Sequence, residues 1–220
     1  LDEGLTFYGH TRGRAELRDA VKAYLERLYR REIDFERITI PGSTMLGITM
    51  AAQMTVSTGD HALIVSPAWP NIDRAFAVTG ASFDAVRQRH GERGWFLDLE
   101  DVYAAARPET KAIFVNSPCN PTGWIMSRQE QTALLEFCRE REITIIADEV
   151  YHRNVFDAEV APSFLEVADE EDPVIVVNGF SKAFAMTGWR LGWMVTPRRY
   201  EEQMAGLGEC FNTSAPAFVQ

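Results

Sequence analysis

Ile143-Thr144-Ile145-Ile146-Ala147-Asp148-Glu149-Val150-Tyr151 sets an almost unbroken apolar run against an acid at its end. Alternation of apolar and polar residues would mark a strand with one wet face. A continuous run of β-branched and small residues marks a strand covered on both faces, as in a parallel sheet between helices. Runs of the same character occur at 38–40, 62–65, 112–115, 174–177 and 191–195. Helix-length segments lie between them at 44–56, 71–78, 99–106 and 127–141. Ahead of them all, 14–31 places Leu17, Val21, Tyr24, Leu25 and Leu28 at helical spacing with charges between. Strands alternating with helices predict an α/β fold built on a mostly parallel, doubly wound sheet. No repeat, low-complexity tract or linker interrupts the order, so one domain with a helical lead-in is expected.

The chain has 220 residues, 46% hydrophobic and 25% charged, which excludes disorder as its main state. Its net charge of −10 repels a polyanion, so nucleic acid is not an expected partner. No apolar run reaches the length of about 18 residues that a membrane span needs, so no membrane association is expected. Cys119, Cys138 and Cys210 are widely spaced and suit reduced thiols, hence a reducing, cytoplasmic compartment. Neither these cysteines nor His10, His61, His90 and His152 show metal-ligand spacing, and no metal is expected. In such a compartment the sequon Asn212-Thr213-Ser214 carries no meaning. The chain opens at Leu1 rather than Met and stops soon after Pro216, read as the first position of a helix. It is therefore expected to be part of a longer protein.

In an open α/β sheet, ligands bind beyond the carboxyl ends of the strands. The residues that follow the runs are Pro41-Gly42-Ser43-Thr44, Ser66-Pro67-Ala68-Trp69-Pro70-Asn71, Asn116 to Gly123, Asp148-Glu149-Val150-Tyr151 and Asn178-Gly179-Phe180-Ser181-Lys182. If the strands are parallel, these five segments meet at one edge. Gly42-Ser43-Thr44 opens a helix whose free N–H groups and hydroxyls suit a phosphate, although a plain capped helix has the same residues. The helix dipole contributes only about 0.3–1 kcal/mol to an exposed anion, so a cation is needed as well, and Arg190 is the candidate. Trp69 is either a core residue or a stacking plate. Asp148 either caps the next helix or lies deep, where its carboxylate needs a cationic partner such as a protonated ring nitrogen.

Among 22 basic residues only Lys22, Lys111 and Lys182 are lysines. Any chemistry that needs an amine nucleophile has those three candidates. Lys22 falls on the charged side of an amphipathic helix, and Lys111 enters a strand from a polar turn. Lys182 alone follows a buried strand at the ligand-binding edge, among Phe180, Ala183, Phe184 and Met186, where desolvation is expected to lower its pKa.

An amine, an acid for a ring nitrogen, a stacking ring and a phosphate cradle together describe a site for pyridoxal 5′-phosphate (PLP). At this point the sequence resembles the fold-type I, class I/II aminotransferases related to aspartate aminotransferase, from Tyr8 to Gln220. The strongest marks are Asn120-Pro121-Thr122-Gly123, Asp148-x-x-Tyr151, and Ser181-Lys182 followed by Gly188-x-Arg190-x-Gly192. The resemblance implies a PLP-dependent transferase large domain with a seven-stranded, mostly parallel sheet over residues 1–204. Residues 205–220 would begin the connection toward a small C-terminal domain absent from this chain. It implies transfer of an amino group from an L-amino acid to a 2-oxo acid. Lys182 would form the Schiff base and shuttle a proton, Asp148 would pair with the pyridinium nitrogen, and Tyr151 and Asn120 would bond the ring oxygen. Trp69 would stack on the ring, Ser43, Thr44 and Arg190 would hold the phosphate, and Ser181 would also bind the cofactor. Tyr8 would reach the phosphate of a neighbouring subunit, which implies a homodimer with shared sites.

The pattern also has departures. Gly179 stands where the family often has a phosphate-contacting serine, and Gly208-Glu209-Cys210-Phe211 lacks an arginine common in members that act on dicarboxylates. Other readings are a PLP-dependent carbon–sulfur β-lyase and a non-catalytic PLP-fold sensor domain of a transcriptional regulator. A nucleotide-binding loop fails because Ile48 stands where Gly42 to Gly47 would need a following lysine. A hydrolase elbow at Gly179-Phe180-Ser181-Lys182-Ala183 fails because all four histidines precede it.

Overall fold

The computed structural model describes residues 5–220. Helix α1 (Ala15–Tyr29) leads to the short strand β1 (Ile38–Thr39), then α2 (Thr44–Thr55), β2 (His61–Ser66), α3 (Asn71–Ala77) and β3 (Ser82–Arg87). A hairpin of β4 (Arg89–Gly91) and β5 (Gly94–Phe96) precedes α4 (Leu99–Ala105), β6 (Thr110–Asn116), α5 (Arg128–Arg141) and β7 (Thr144–Asp148). The chain closes with β8 (Val174–Gly179), β9 (Gly192–Val195) and α6 (Glu201–Asn212).

Seven strands form one sheet in the order β1-β9-β8-β7-β6-β2-β3. The run β3-β2-β6-β7-β8 is parallel, and β9 is antiparallel to both β8 and β1. Strand β1 therefore points the same way as β8, and β9 alone is reversed. The α/β sheet predicted from the apolar runs is the one observed.

Period-two alternation within each strand divides the core into two layers. Leu63, Val65, Ile113, Val115, Ile145 and Val176 face α1 and α5 through Val21, Leu25, Leu134 and Cys138. Ala62, Ile64, Phe114, Ile146, Ile175 and Val177 face α2, α3 and α6 through Ala51, Ala52, Phe76 and Met204. Burying both faces explains why these strands read as continuous rather than alternating runs. Helix α2 lies hard against the sheet because Gly47 has no side chain: a Cβ there would sit 2.9 Å from Val177 Cγ1. Helix α5 starts in a capping box, with Ser127 Oγ bound by the Glu130 N–H and the Glu130 carboxylate bound by the Ser127 N–H.

Four elements were not read from the sequence: β3, the β4–β5 hairpin strands and α6. Edge strand β3 is mostly exposed, so it carries no apolar run, and α6 mixes small and acidic residues with a single buried large side chain, Met204. The 204/205 division falls inside α6. Pro216 precedes a single 3₁₀ turn, Ala217–Val219. Among the described residues no helix is long and apolar enough to cross a membrane.

Candidate active site

Because β1, β2, β6, β7 and β8 share one direction, the five segments that follow them open on one edge of the sheet. Arg190 precedes its strand, yet reaches the same edge because β9 is reversed. A cleft of about 400 Å³ lies there, within the range of small-molecule sites. It is lined by Thr44, Trp69, Asn120, Asp148, Tyr151, Ser181, Lys182 and Arg190, eight of the ten residues expected from sequence. Lys22 is paired with Glu26 on α1, and Lys111 enters β6 at the end of the strand opposite Asn116. Lys182 is therefore the one lysine at the cleft.

The two remaining candidates lie elsewhere. Ser43 Oγ accepts the Leu46 N–H at 3.1 Å and caps α2, and the residue does not line the cleft. Tyr8 is 86% exposed and away from the cleft of its own chain.

The acid side of the cleft is buried and cross-braced. Asp148 sits at the end of β7, paired in register with Asn116 of β6. Its Oδ1 accepts the Val150 N–H at 3.1 Å. Burial pushes its pKa up to about 7, and the Val150 hydrogen bond and the Lys182 charge pull it back only in part. A carboxylate so placed calls for a cationic partner, and the chemistry of a pyridinium N–H fits it. Asn120 Nδ2 donates to Tyr151 Oη at 3.3 Å, so the two expected ring-oxygen ligands stand side by side. Burial and the Asp148 charge raise the Tyr151 phenol, while the Asn120 contact lowers it. Glu149 points the other way, accepting from Ser163 Oγ at 2.6 Å and the Phe164 N–H at 2.9 Å. Burial pushes Glu149 up to about 8.

The cationic side is open. Lys182 is exposed, and its Nζ lies 5.9 Å from the Tyr151 ring centroid. The expected apolar shield is not over the amine. Phe180 packs on Trp193 instead, at 4.9 Å between ring centroids, and Phe184, still exposed, lies 6.5 Å from Trp193 and 5.6 Å from Tyr24. Trp69 keeps 47% of its surface exposed, which places it as a wall of the cleft rather than a core residue. The Arg190 guanidinium donates to the Thr187 carbonyl at 2.9 Å. Its backbone is left-handed, with φ 54°, a conformation that costs a non-glycine residue on the order of 1 kcal/mol. Glycine would fit that backbone more cheaply, which marks the arginine side chain as the reason for the residue.

Gly179 has a structural explanation. A Cβ at this position would collide with Thr44 Oγ1, which donates to the Asn178 carbonyl at 3.2 Å. A Cβ on Gly192 would lie 2.8 Å from the Thr44 N atom. The two glycines let the start of α2 press onto the ends of β8 and β9, and a hydroxyl from Thr44 occupies the space that a serine at 179 would need.

Sequence reasoning passed over Asn116, Asn71, Met45, Ile48, Val150 and Thr187, which also line the cleft. Asn116 had a signal: an amide ending the buried run 112–115 must find hydrogen-bond partners. Met45 and Ile48 had none, since they read as ordinary helix positions. A neighbouring hollow of about 430 Å³ shares Asn120 and Tyr151 but is otherwise mostly apolar, so the ionisable groups gather in the first cleft.

The family model described as aminotransferase class I and II matches residues 1–220. The chain is 31% identical to the arginine–pyruvate transaminase of Pseudomonas aeruginosa over 99% of its length and 55% of that protein's. It is 32% identical to the aspartate aminotransferase of Sulfurisphaera tokodaii, covering all of this chain and 55% of that one. Among solved structures it resembles an aromatic aminotransferase from Pyrococcus horikoshii, with a TM-score of 0.92, 30% identity, and coverage of 99% of this chain and 58% of that one. The chain spans about half the length of the curated relatives it matches. With its sheet order, its cleft and its match along the whole length, this chain belongs to the class I and II aminotransferases.

Proposed function

We propose that the protein carrying this chain is a PLP-dependent aminotransferase, moving an amino group from an L-amino acid to a 2-oxo acid. The observation that carries this reading is the convergence, in one cleft, of the single available lysine and a buried carboxylate in need of a cation. When bound, the cofactor supplies an electron-withdrawing ring that disperses negative charge developing at the substrate Cα.

The residues of this chain have distinct tasks. Lys182 would hold the cofactor aldehyde through its amine and would carry the proton to and from the substrate Cα; its exposure leaves the amine free to swing. Asp148 holds the proton at the ring nitrogen, and pairing with that cation would lower its own raised pKa. Tyr151 and Asn120 donate to the ring oxygen. Trp69 covers one face of the ring. Thr44, Arg190 and the N–H groups at the start of α2 would hold the phosphate, with Ser181 lining the same cleft and Ser43 shaping that helix start.

The same reading takes residues 1–204 as the large cofactor domain and 205–220 as the start of the connection to a small domain. It takes the working unit as a cytoplasmic homodimer in which Tyr8 serves the neighbour's phosphate. The relatives' greater length supports the further domain. The test is a panel of amino donors and 2-oxo acids with the full-length protein. Keto-acid exchange is expected, and ammonia release with elimination products would overturn transfer in favour of a lyase.

A further inference from the structure

The acid end and the ring-oxygen end of the cleft are joined by one side chain that sequence reasoning did not single out. Asn116 closes β6 and is 3% exposed. Its Oδ1 accepts the Asn120 N–H at 2.8 Å, and its Nδ2 donates to the Asp148 carbonyl at 3.0 Å. Both halves of the amide are thus committed, one to each loop. Asn120 then donates to Tyr151, which lies three residues beyond Asp148, and the chain of bonds closes on itself. No other side-chain hydrogen bond among the described residues links Asn120 to the β7 end except Asn120 to Tyr151 itself.

We infer that Asn116 is a positioning residue: it fixes the spacing between the carboxylate that faces the ring nitrogen and the amide–phenol pair that faces the ring oxygen. A buried amide with two obligatory partners is suited to this, because any displacement of one loop leaves a desolvated polar group unpaired. Asn116 acts through Asn120 and Asp148 and need not touch the ring. The inference rests on the proposed cofactor, and wild-type protein without a visible cofactor band would sink that reading before any variant is compared.

The test uses the full-length protein reconstituted with PLP, reading the pH midpoint of the visible band and the cofactor Kd. The charged and titratable groups facing the cleft are Asp148 and Tyr151 beside β7, Lys182 after β8 and Arg190 before β9; α2 presents only Thr44, Met45 and Ile48. Asn116→Ala is expected to weaken cofactor binding about tenfold and to raise the midpoint by about one pH unit, because the donors to the ring oxygen lose their place. Asn120→Ala should raise it similarly, and the double variant should fall short of the sum of the two shifts, since Asn116 reaches the ring oxygen in part through the Asn120 side chain. Ser117→Ala is the control. Ser117 is equally buried in the same loop, but its Oγ serves Met126 rather than the cleft, so its midpoint should match wild type. If Asn116→Ala does not fold, Asn116→Ser takes its place, with a smaller shift in the same direction. An unchanged midpoint in a folded Asn116 variant, or shifts that add in full with Asn120→Ala, would overturn the inference.

Discussion

The loops after β6 and β7 differ in kind from the segment after β8. The first two carry Asn116, Asn120, Asp148 and Tyr151, buried or half-buried and joined by hydrogen bonds within the protein, with the Asp148 carboxylate still short of a cationic partner. The segment 181–190 carries Lys182 and Arg190 exposed, with Ala185 and Arg190 both in left-handed backbone conformations. The difference fits the proposed division of labour: the groups that would orient a bound ring are braced by hydrogen bonds within the protein. The groups that must form, break and reform contacts stand in the open, where motion costs little.

The contrast can be broken from either side. The largest effect is expected from Lys182→Ala, which should abolish transamination, by at least about a thousandfold, while stability stays within about 0.5 kcal/mol of wild type. Steady-state assays and thermal unfolding together check this, and retained turnover would remove Lys182 from the chemistry.

Asp148→Asn comes next and should separate activity from stability. Turnover should fall about a hundred- to a thousandfold. The folded acid titrates near 7, whereas the unfolded one titrates near 3.8. The native state therefore keeps a proton that the unfolded chain releases, and stability falls as pH rises through that window. Glu149, pushed up to about 8, adds to the same slope. His152, held neutral by burial with its pKa near 4, does the opposite and costs stability as pH falls below 6.5. Without cofactor, Asp148→Asn should gain a few kcal/mol at pH 8 and show a flatter alkaline arm. Unfolding midpoints at pH 5.5 and 8 decide it, and an unchanged slope would mean the carboxylate is not the buried acid described here.

Arg190 sharpens the contrast with the smallest effect. Arg190→Ala should weaken cofactor binding about ten- to a hundredfold, as expected for a charge-assisted contact. Arg190→Gly should bind as weakly, but be about 1 kcal/mol more stable than the alanine variant through relief of the left-handed backbone. Titration and thermal unfolding of the pair would measure the two parts separately.

The same contrast explains what was legible in the sequence. The buried strands at 62–65, 112–115, 143–147 and 174–177 announce themselves, because covering both faces leaves only apolar residues to place. Strand ends then locate Asp148, Asn120 and Lys182 without further information. Side-chain commitment is not visible at that level. Ser43 and Thr44 look interchangeable in sequence, and only the α2 cap and the space above Gly179 tell them apart. The shielding expected for Lys182 failed for a similar reason, since Phe180 is drawn to Trp193, a residue beyond the turn. Strand β3 stayed hidden because an exposed edge strand has no apolar pattern to show.

The central claim is that the one lysine at the cleft is the cofactor's anchor. Borohydride reduction of the full-length protein with PLP, followed by peptide mapping, tests it directly. The account predicts a single label on Lys182, and a label on Lys22 or Lys111 with Lys182 unmodified would contradict it.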